Sequence, residues 1–178
     1  MAPKRSILTR YAWLSVITAI GVLALKLGAW WLTGSVGLLS DALETCTNLG
    51  GALMALLMLR LAAQPPDEEH AYGHSKAEYF SSGFEGMLIF VAAAVIAVQA
   101  LPRLLAPRAL EQPGVGLAAA ALATVANFAV ARLLDRAGRE HGSVSLSADA
   151  RHLMADVWTT LGVIAGVGLV ALTGWLWL

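Results

Sequence analysis

The chain of 178 residues is poor in charge and has a single cysteine. Charged residues make up 13% of the sequence and hydrophobic residues 58%, and the mean hydropathy is +0.68. This composition is more apolar than an ordinary soluble domain of this length requires. The lone Cys46 excludes a disulfide framework, and we expect it to be a small buried residue in a helix. The net charge is zero, and no nucleic acid partner is expected.

The sequence is rich in long apolar segments. A transmembrane helix takes roughly 20 apolar residues, and five segments satisfy this requirement. They are residues 11–32, 36–61, 77–104, 114–134 and 143–172. We therefore predict an all-α fold, a polytopic transmembrane helix bundle of five spans that forms one domain over residues 1–178. The first segment is too long for a cleavable signal peptide and lacks a clear small-residue cleavage site.

The final apolar stretch is longer than one span. As a single helix, residues 143–178 would extend about 54 Å, well beyond the hydrocarbon thickness. Thr173-Gly174 is the predicted break, because glycine is typical of the position after a helix. Residues 175–178 are then expected to cap the outer interface or to begin a sixth span. Five spans place the two termini on opposite sides.

The distribution of lysine and arginine predicts the orientation of the chain in the membrane. Eight of them lie on the side of the N-terminus and two on the opposite side, so the positive-inside rule places the N-terminus in the cytoplasm and the chain in the inner membrane. The eight are Lys4, Arg5, Arg10, Arg60, Lys76, Arg132, Arg136 and Arg139, and the two are Arg103 and Arg108.

One polar pattern occurs twice, in residues 35–48 and 143–156. Each copy carries polar side chains at positions i and i+4 of a helix, which places them on one face. The pairs are Glu44 with Asn48, and His152 with Asp156. Ionisable groups at membrane depth usually face a cavity, a partner or a substrate path, and Asn48 and Asp156 fall roughly 18–20 Å into their spans. The four side chains therefore form a candidate cation site. Alternatively, they only join helices by hydrogen bonds.

Other charged groups within the spans have several interpretations. Asp41 and Asp149 precede the two pairs by one turn and are interpreted as helix-start or interhelical hydrogen-bonding groups, in the second shell of the site. Lys26 is expected to snorkel or to pair with an acid. Glu85 is interpreted either as part of a proton path or, equally well, as an ion-pair partner of Lys26 or Arg151.

The connection between the second and third spans forms a second candidate site. Asp67, His70 and His74 have a spacing that lets one carboxylate and two imidazoles meet a single cation, and these ligands suit Zn(II) and its first-row neighbours. A solvated polar loop is the alternative interpretation.

Three motifs in this order resemble those of the cation diffusion facilitator family, which are divalent-metal/proton antiporters. They are Ser-x-x-Leu-Leu-x-Asp-Ala in the second span, Asp-x-x-His-x-Tyr-Gly-His-x-Lys-Ala-Glu after it, and His-x-x-x-Asp in the fifth span. The resemblance covers essentially the whole chain. It implies six spans, two cytoplasmic termini and a C-terminal cytoplasmic metal-sensing domain that supports a homodimer. Because the sixth span and that domain are absent from this sequence, we interpret it as a truncated transporter core.

The resemblance also implies which residues bind metal. Glu44, Asn48, His152 and Asp156 match the transport site, and Asp67, His70 and His74 match a loop metal site. Glu44 stands where relatives usually have Asp or His, and Asn48 where they have Asp. Oxygen then supplies three of the four donors, which shifts the expectation towards Fe(II), Mn(II) or Co(II), although Zn(II) stays the first choice by resemblance.

The expected function is export of a divalent cation in exchange for protons, by alternating access between the two sides of the bilayer. His152 is the expected proton carrier, because metal and proton compete for the same nitrogen. No catalytic residue and no resident cofactor are expected. A metal-dependent membrane hydrolase would need a pattern such as H-E-x-x-H, which the sequence lacks. A metal-binding membrane scaffold without transport is the remaining alternative.

Overall fold

The computed structural model describes residues 2–34, 36–105 and 113–174, and in these ranges the ordered secondary structure is helical. The helices are α1 (Ala2–Thr33), α2 (Val36–Ala62), α3 (Ala77–Leu105), α4 (Pro113–His141) and α5 (Val144–Thr173). All five are long and apolar enough to cross a membrane. The predicted fold class, an all-α bundle of membrane-length helices, is confirmed.

Glycines with a positive φ directly follow three of the helices, α1 among them. Gly142 follows α4 with a φ of +69°, and the amide of Ser143 donates to the carbonyl of Gly138 at 2.9 Å, so the chain reverses within two residues into α5. Gly174 follows α5 with a φ of +70°, the conformation expected at the predicted break. The outer cap expected for residues 175–178 lies outside the described residues.

The helices pack as a ring, in the order α1, α2, α3, α5, α4 and back to α1. A further contact joins α2 and α5 across the ring. Two polar contacts fix the directions. Lys26, late in α1, pairs with Asp41, early in α2, whereas Glu78 at the start of α3 accepts a hydrogen bond from Ser143 at the start of α5. Helices α1 and α2 are therefore antiparallel, and α3 and α5 are parallel. Gly51 of α2 lies beside Glu85 of α3, whereas the earlier Glu44 lines a cavity with the later Val91, so α2 is antiparallel to α3 and to α5.

The bundle is packed most tightly at the end where α1, α3 and α5 begin, which we call the N end; the opposite end is the far end. The buried apolar cluster lies in the N-end half of α1, α2, α4 and α5 and contains no α3 residue. It includes Val16, Leu56, Leu134 and Leu146, all at most 3% exposed. Helix α3 is the most peripheral span, with 11% of its apolar window buried.

Two small residues show where helices do and do not approach closely. Gly138 of α4 packs so tightly on α5 that an added Cβ would lie 3.0 Å from the backbone nitrogen of Ser147. Cys46, expected to be buried, is exposed on α2. The expectation for Cys46 was wrong because, within an apolar helix, residue type alone does not distinguish the face packed on protein from the face turned outwards.

Candidate metal sites

The contact between α2 and α5 brings three of the four side chains of the candidate transport site together. Asn48 Nδ2 donates to the Asp156 carboxylate, and His152 Nε2 lies 3.0 Å from Asn48 Oδ1. Because the amide oxygen only accepts hydrogen bonds, a neutral His152 carries its proton on Nε2 in this arrangement. Its Nδ1 atom is buried without a hydrogen-bond partner, and the side chain as a whole is 2% exposed.

The fourth residue, Glu44, lies one turn towards the far end. It interacts electrostatically with Asp156, but the nearest ligand atoms of Glu44, His152 and Asp156 do not all lie within 4.8 Å of one another. Glu44 instead lines a cavity of about 230 Å³ between α2 and α3, together with Thr47, Leu88 and Val91. The donor set is thus divided between a hydrogen-bonded trio and a carboxylate at the edge of a cavity.

A lysine lies beside this divided site. Lys26 Nζ is 2.8 Å from Asp41 Oδ1, and the lysine side chain is 12% exposed. Lys26 also acts electrostatically on Glu44 and Asp156. The predicted pairing of Lys26 with an acid is therefore made with Asp41 rather than with Glu85, and this ion pair lies on the far-end side of the site.

Asp149, also predicted to lie around the site, is buried at the α3–α5 interface and interacts there with Glu85. Sequence reasoning missed the serines of this interface, Ser81 and Ser145, which are completely buried. The signal was present in the spacing: on α3, Glu78, Ser81 and Glu85 follow at i, i+3 and i+7, which is one helix face.

The loop residues form a compact cluster. The ligand atoms of Asp67, His70 and His74 all lie within 4.8 Å of one another, and among the described His, Cys, Asp and Glu residues this is the group of three that a single metal ion could join. His70 Nδ1 lies 3.1 Å from Asp67 Oδ1, and His74 Nε2 lies 3.3 Å from Asp67 Oδ2. A turn with Gly73 at a φ of +78° brings His74 back towards Asp67.

A backbone hydrogen bond organises the same loop. The amide of His70 donates to Asp67 Oδ1 at 2.7 Å, and this bond holds the pKa of the Asp67 carboxyl group below its usual range. Asp67 therefore keeps the ionised form, which binds metal, to lower pH than an ordinary aspartate. His74 Nδ1 is buried without a hydrogen-bond partner, whereas Asp67 and His70 are exposed.

Comparison with known proteins shows which family the chain resembles. Residues 12–178 match the model of the cation efflux transmembrane domain family. The chain is 55% identical over 168 residues to an uncharacterized transporter of Synechocystis sp., covering 94% of this chain and 54% of the relative. It is 30% identical over 169 residues to the cation-efflux pump FieF of Citrobacter koseri, covering 95% of this chain and 56% of the pump.

The FieF pump of Klebsiella pneumoniae is similarly related, with 30% identity over 163 residues, 92% of this chain and 54% of the pump. The chain thus spans about half the length of the curated relatives it matches. Its match to the family model covers nearly all of its own length, including α2, the loop and α5. The chain is a membrane protein that belongs to the cation efflux family, the cation diffusion facilitators.

Proposed function

We propose that this chain is the membrane core of a divalent transition-metal exporter that exchanges cytoplasmic metal for protons. The supporting observation is that Asn48, His152 and Asp156 meet between the antiparallel helices α2 and α5. Duplicated polar motifs that meet near the bilayer middle are typical of transporters with alternating access. The FieF relatives are named cation-efflux pumps, which agrees with this proposal.

The cargo site that we propose consists of Glu44, Asn48, His152 and Asp156. The two carboxylates carry two formal negative charges, which balance one divalent cation. Metal binding requires the ligands to exchange their mutual hydrogen bonds for bonds to the ion, with Asn48 presenting its oxygen and Glu44 closing from the cavity. Zn(II) is our first choice because His152 supplies a nitrogen, and Fe(II), Mn(II) and Co(II) follow because the other donors are oxygens.

Proton exchange follows from the same chemistry. Metal and protons compete for the imidazole of His152 and for the carboxylates, so arrival of protons on one side favours release of the metal. We propose that the N end faces the cytoplasm, where the loop of Asp67, His70 and His74 holds a second metal. Full-length relatives are proposed to act as homodimers in the inner membrane. Transport requires no covalent step and no catalytic residue.

Flux through sealed vesicles tests the proposal. Purified chain reconstituted into proteoliposomes should take up Zn(II) when a proton gradient of the opposite direction is imposed, and protons should leave as metal enters. Binding of metal without flux would support the alternative, a metal-binding membrane scaffold.

His152→Ala tests the site. With His70 and His74 already replaced by alanine, calorimetry should show metal affinity at the remaining site reduced by more than the roughly 10–100-fold that loss of an outer-shell partner causes, and flux should stop. The matched control is His141→Ala, which removes a histidine at the end of α4 that belongs to neither site. An unchanged affinity in the His152 variant would contradict the assignment.

A further inference from the structure

A second group of polar side chains is buried between α1, α3 and α5, apart from the cargo trio. We call it the acid–serine cluster; its members are Ser15, Ser81, Glu85, Ser145 and Asp149. Ser81, Glu85 and Ser145 are 0% exposed, and Ser15 and Asp149 are 1% exposed. Buried carboxylic acids are rarely retained without a partner or a function.

Hydrogen bonds satisfy only part of the cluster. Ser145 Oγ donates to Ser81 Oγ at 2.9 Å, and Ser81 Oγ donates to Glu85 Oε1 at 3.1 Å. Glu85 and Asp149 are close enough for electrostatic repulsion between them. Glu85 Oε2 and Asp149 Oδ2 are buried and have no hydrogen-bond partner among the described residues.

A third helix contributes a polar group to the cluster. Ser15 of α1 is directed at the Asp149 carboxyl group, but its hydroxyl makes no hydrogen bond of ordinary geometry. The cluster therefore draws polar groups from three helices. Its two unpartnered carboxyl oxygens, one from α3 and one from α5, are buried acceptors that need either a donor or a ligand.

No described cation faces the two acids. On the surrounding helices, Lys26 pairs with Asp41, His152 contacts Asn48, and Arg151 is exposed. Glu78 of α3 accepts from Ser143, and Glu44 and Asp156 carry further negative charge. Two adjacent ionised carboxylates in this environment would be both desolvated and mutually repelled. One proton removes one of the charges and supplies the donor that the unsatisfied acceptors lack.

We propose that Glu85 and Asp149 form a proton-binding site that holds one proton between the two carboxyl groups. A proton suits the cluster because it needs no added space, whereas a hydrated cation does. A chain of polar contacts leads to the site from the N end: Glu78 accepts from Ser143 at 2.6 Å, and the Ser145–Ser81 pair follows one turn deeper. Because α3 contributes nothing to the apolar cluster, its displacement from α5 would open the site to water.

This inference deepens the proposed antiport, because a proton here would move in addition to any proton on His152. Its first test does not depend on transport. Infrared difference spectroscopy of the metal-free chain, in H2O and D2O at neutral pH, should show the carbonyl band of a buried protonated carboxylic acid. The band should be lost in Glu85→Gln and in Asp149→Asn, and retained at a shifted position in Glu85→Asp. Glu140→Gln, which alters an exposed acid, should leave the band unchanged.

Each outcome of this test decides the proposal. A band that is unchanged in both Glu85→Gln and Asp149→Asn would overturn the proposal. Loss of one bound Zn(II) per chain in either variant would also overturn it, because the cluster would then be a metal site. In vesicles, Glu85→Gln should retain the metal affinity of the cargo site and lose at least half of the pH dependence of flux. Absence of flux in the unaltered chain would contradict the proposed antiport, and the infrared result would still decide whether the proton site exists.

Discussion

Asn48 is the residue that most constrains the proposed cargo site. Its amide nitrogen donates to Asp156 and its oxygen lies against His152, so a single side chain joins both groups of α5 to α2. An aspartate at this position could not donate to Asp156, because an ionised carboxylate only accepts hydrogen bonds. The amide therefore stabilises the metal-free arrangement, at the expense of one negative charge for the cargo.

Asn48→Asp should change metal binding in a defined direction. The formal charge of the site goes from −2 to −3 with His152 neutral, so affinity for Zn(II) should rise by roughly tenfold, about 1.4 kcal/mol, a minimal effect for one additional charged ligand. Its pH dependence should steepen, because two facing carboxylates bind a proton when metal is absent. Calorimetry at several pH values provides the measurement, with Gln64→Glu as a control that adds a charge outside the site. If metal affinity and flux are both unchanged in this variant, Asn48 is not a ligand.

At the scale of single elements, the loop of residues 63–76 builds its cluster from local geometry alone. The Asp67–His70 hydrogen bond and the turn at Gly73 place both imidazoles against one carboxylate. The ring centroids of His70 and His74 are 4.4 Å apart. A metal bound there lies outside the apolar spans and should exchange readily with bulk water.

His70→Ala combined with His74→Ala should therefore remove one bound metal per chain and leave a metal at the cargo site. Metal stoichiometry of the purified double variant measures this, and His141→Ala again serves as the matched control. An unchanged count would identify the loop as a solvated connector. Loss of all metal would show that the two sites depend on each other.

The tight approach of α4 and α5 gives a prediction about stability. Gly138→Ala should lower the free energy of unfolding by about 1–3 kcal/mol, since the new methyl group would meet the backbone of Ser147 and force a shift of the helix pair. Gly162→Ala is the matched control, because nothing lies within 4 Å of its added Cβ. Thermal unfolding in detergent compares the two variants. If the two variants are equally stable, helices α4 and α5 can move apart to accommodate the methyl group without loss of stability.

At the scale of the whole molecule, packing and charge distinguish the two ends of the bundle. The apolar cluster closes the N-end half, and the cavity beside Glu44 lies on the other side of the Asn48 trio. Most of the lysines and arginines are found at the N end. This asymmetry fits the proposed exporter, because a cargo site that works by alternating access must be reached from one side at a time.

The orientation can be measured with a single cysteine. In a Cys46→Ala background, Glu69→Cys in the exposed loop should react with a membrane-impermeant maleimide only after the cells are permeabilised, because the positive-inside rule places the N end in the cytoplasm. Thr33→Cys at the far end should react in intact cells. The reverse pattern of labelling would contradict the proposed topology.

The sequence by itself determined the membrane class, the five helices and the two sets of candidate ligands. The length of an apolar segment determines whether it can form a helix that spans lipid, and i, i+4 spacing determines which side chains share a helix face. Both properties can be predicted from short stretches of sequence. The loop cluster was equally accessible, because Asp67, His70 and His74 are joined by turns of a few residues. The exposure of Cys46 was not predictable, since it depends on which face of α2 the other helices cover.

Only the tertiary structure decided which groups meet across helices. It placed Asn48 against His152 and Asp156, left Glu44 beside a cavity, and paired Lys26 with Asp41. It also brought the two acids of the acid–serine cluster together, one from α3 and one from α5. Within a span, lipid offers no polar alternative to a partner on another helix, and the choice of partner depends on the order and rotation of the helices around the ring. A local pattern does not carry that information.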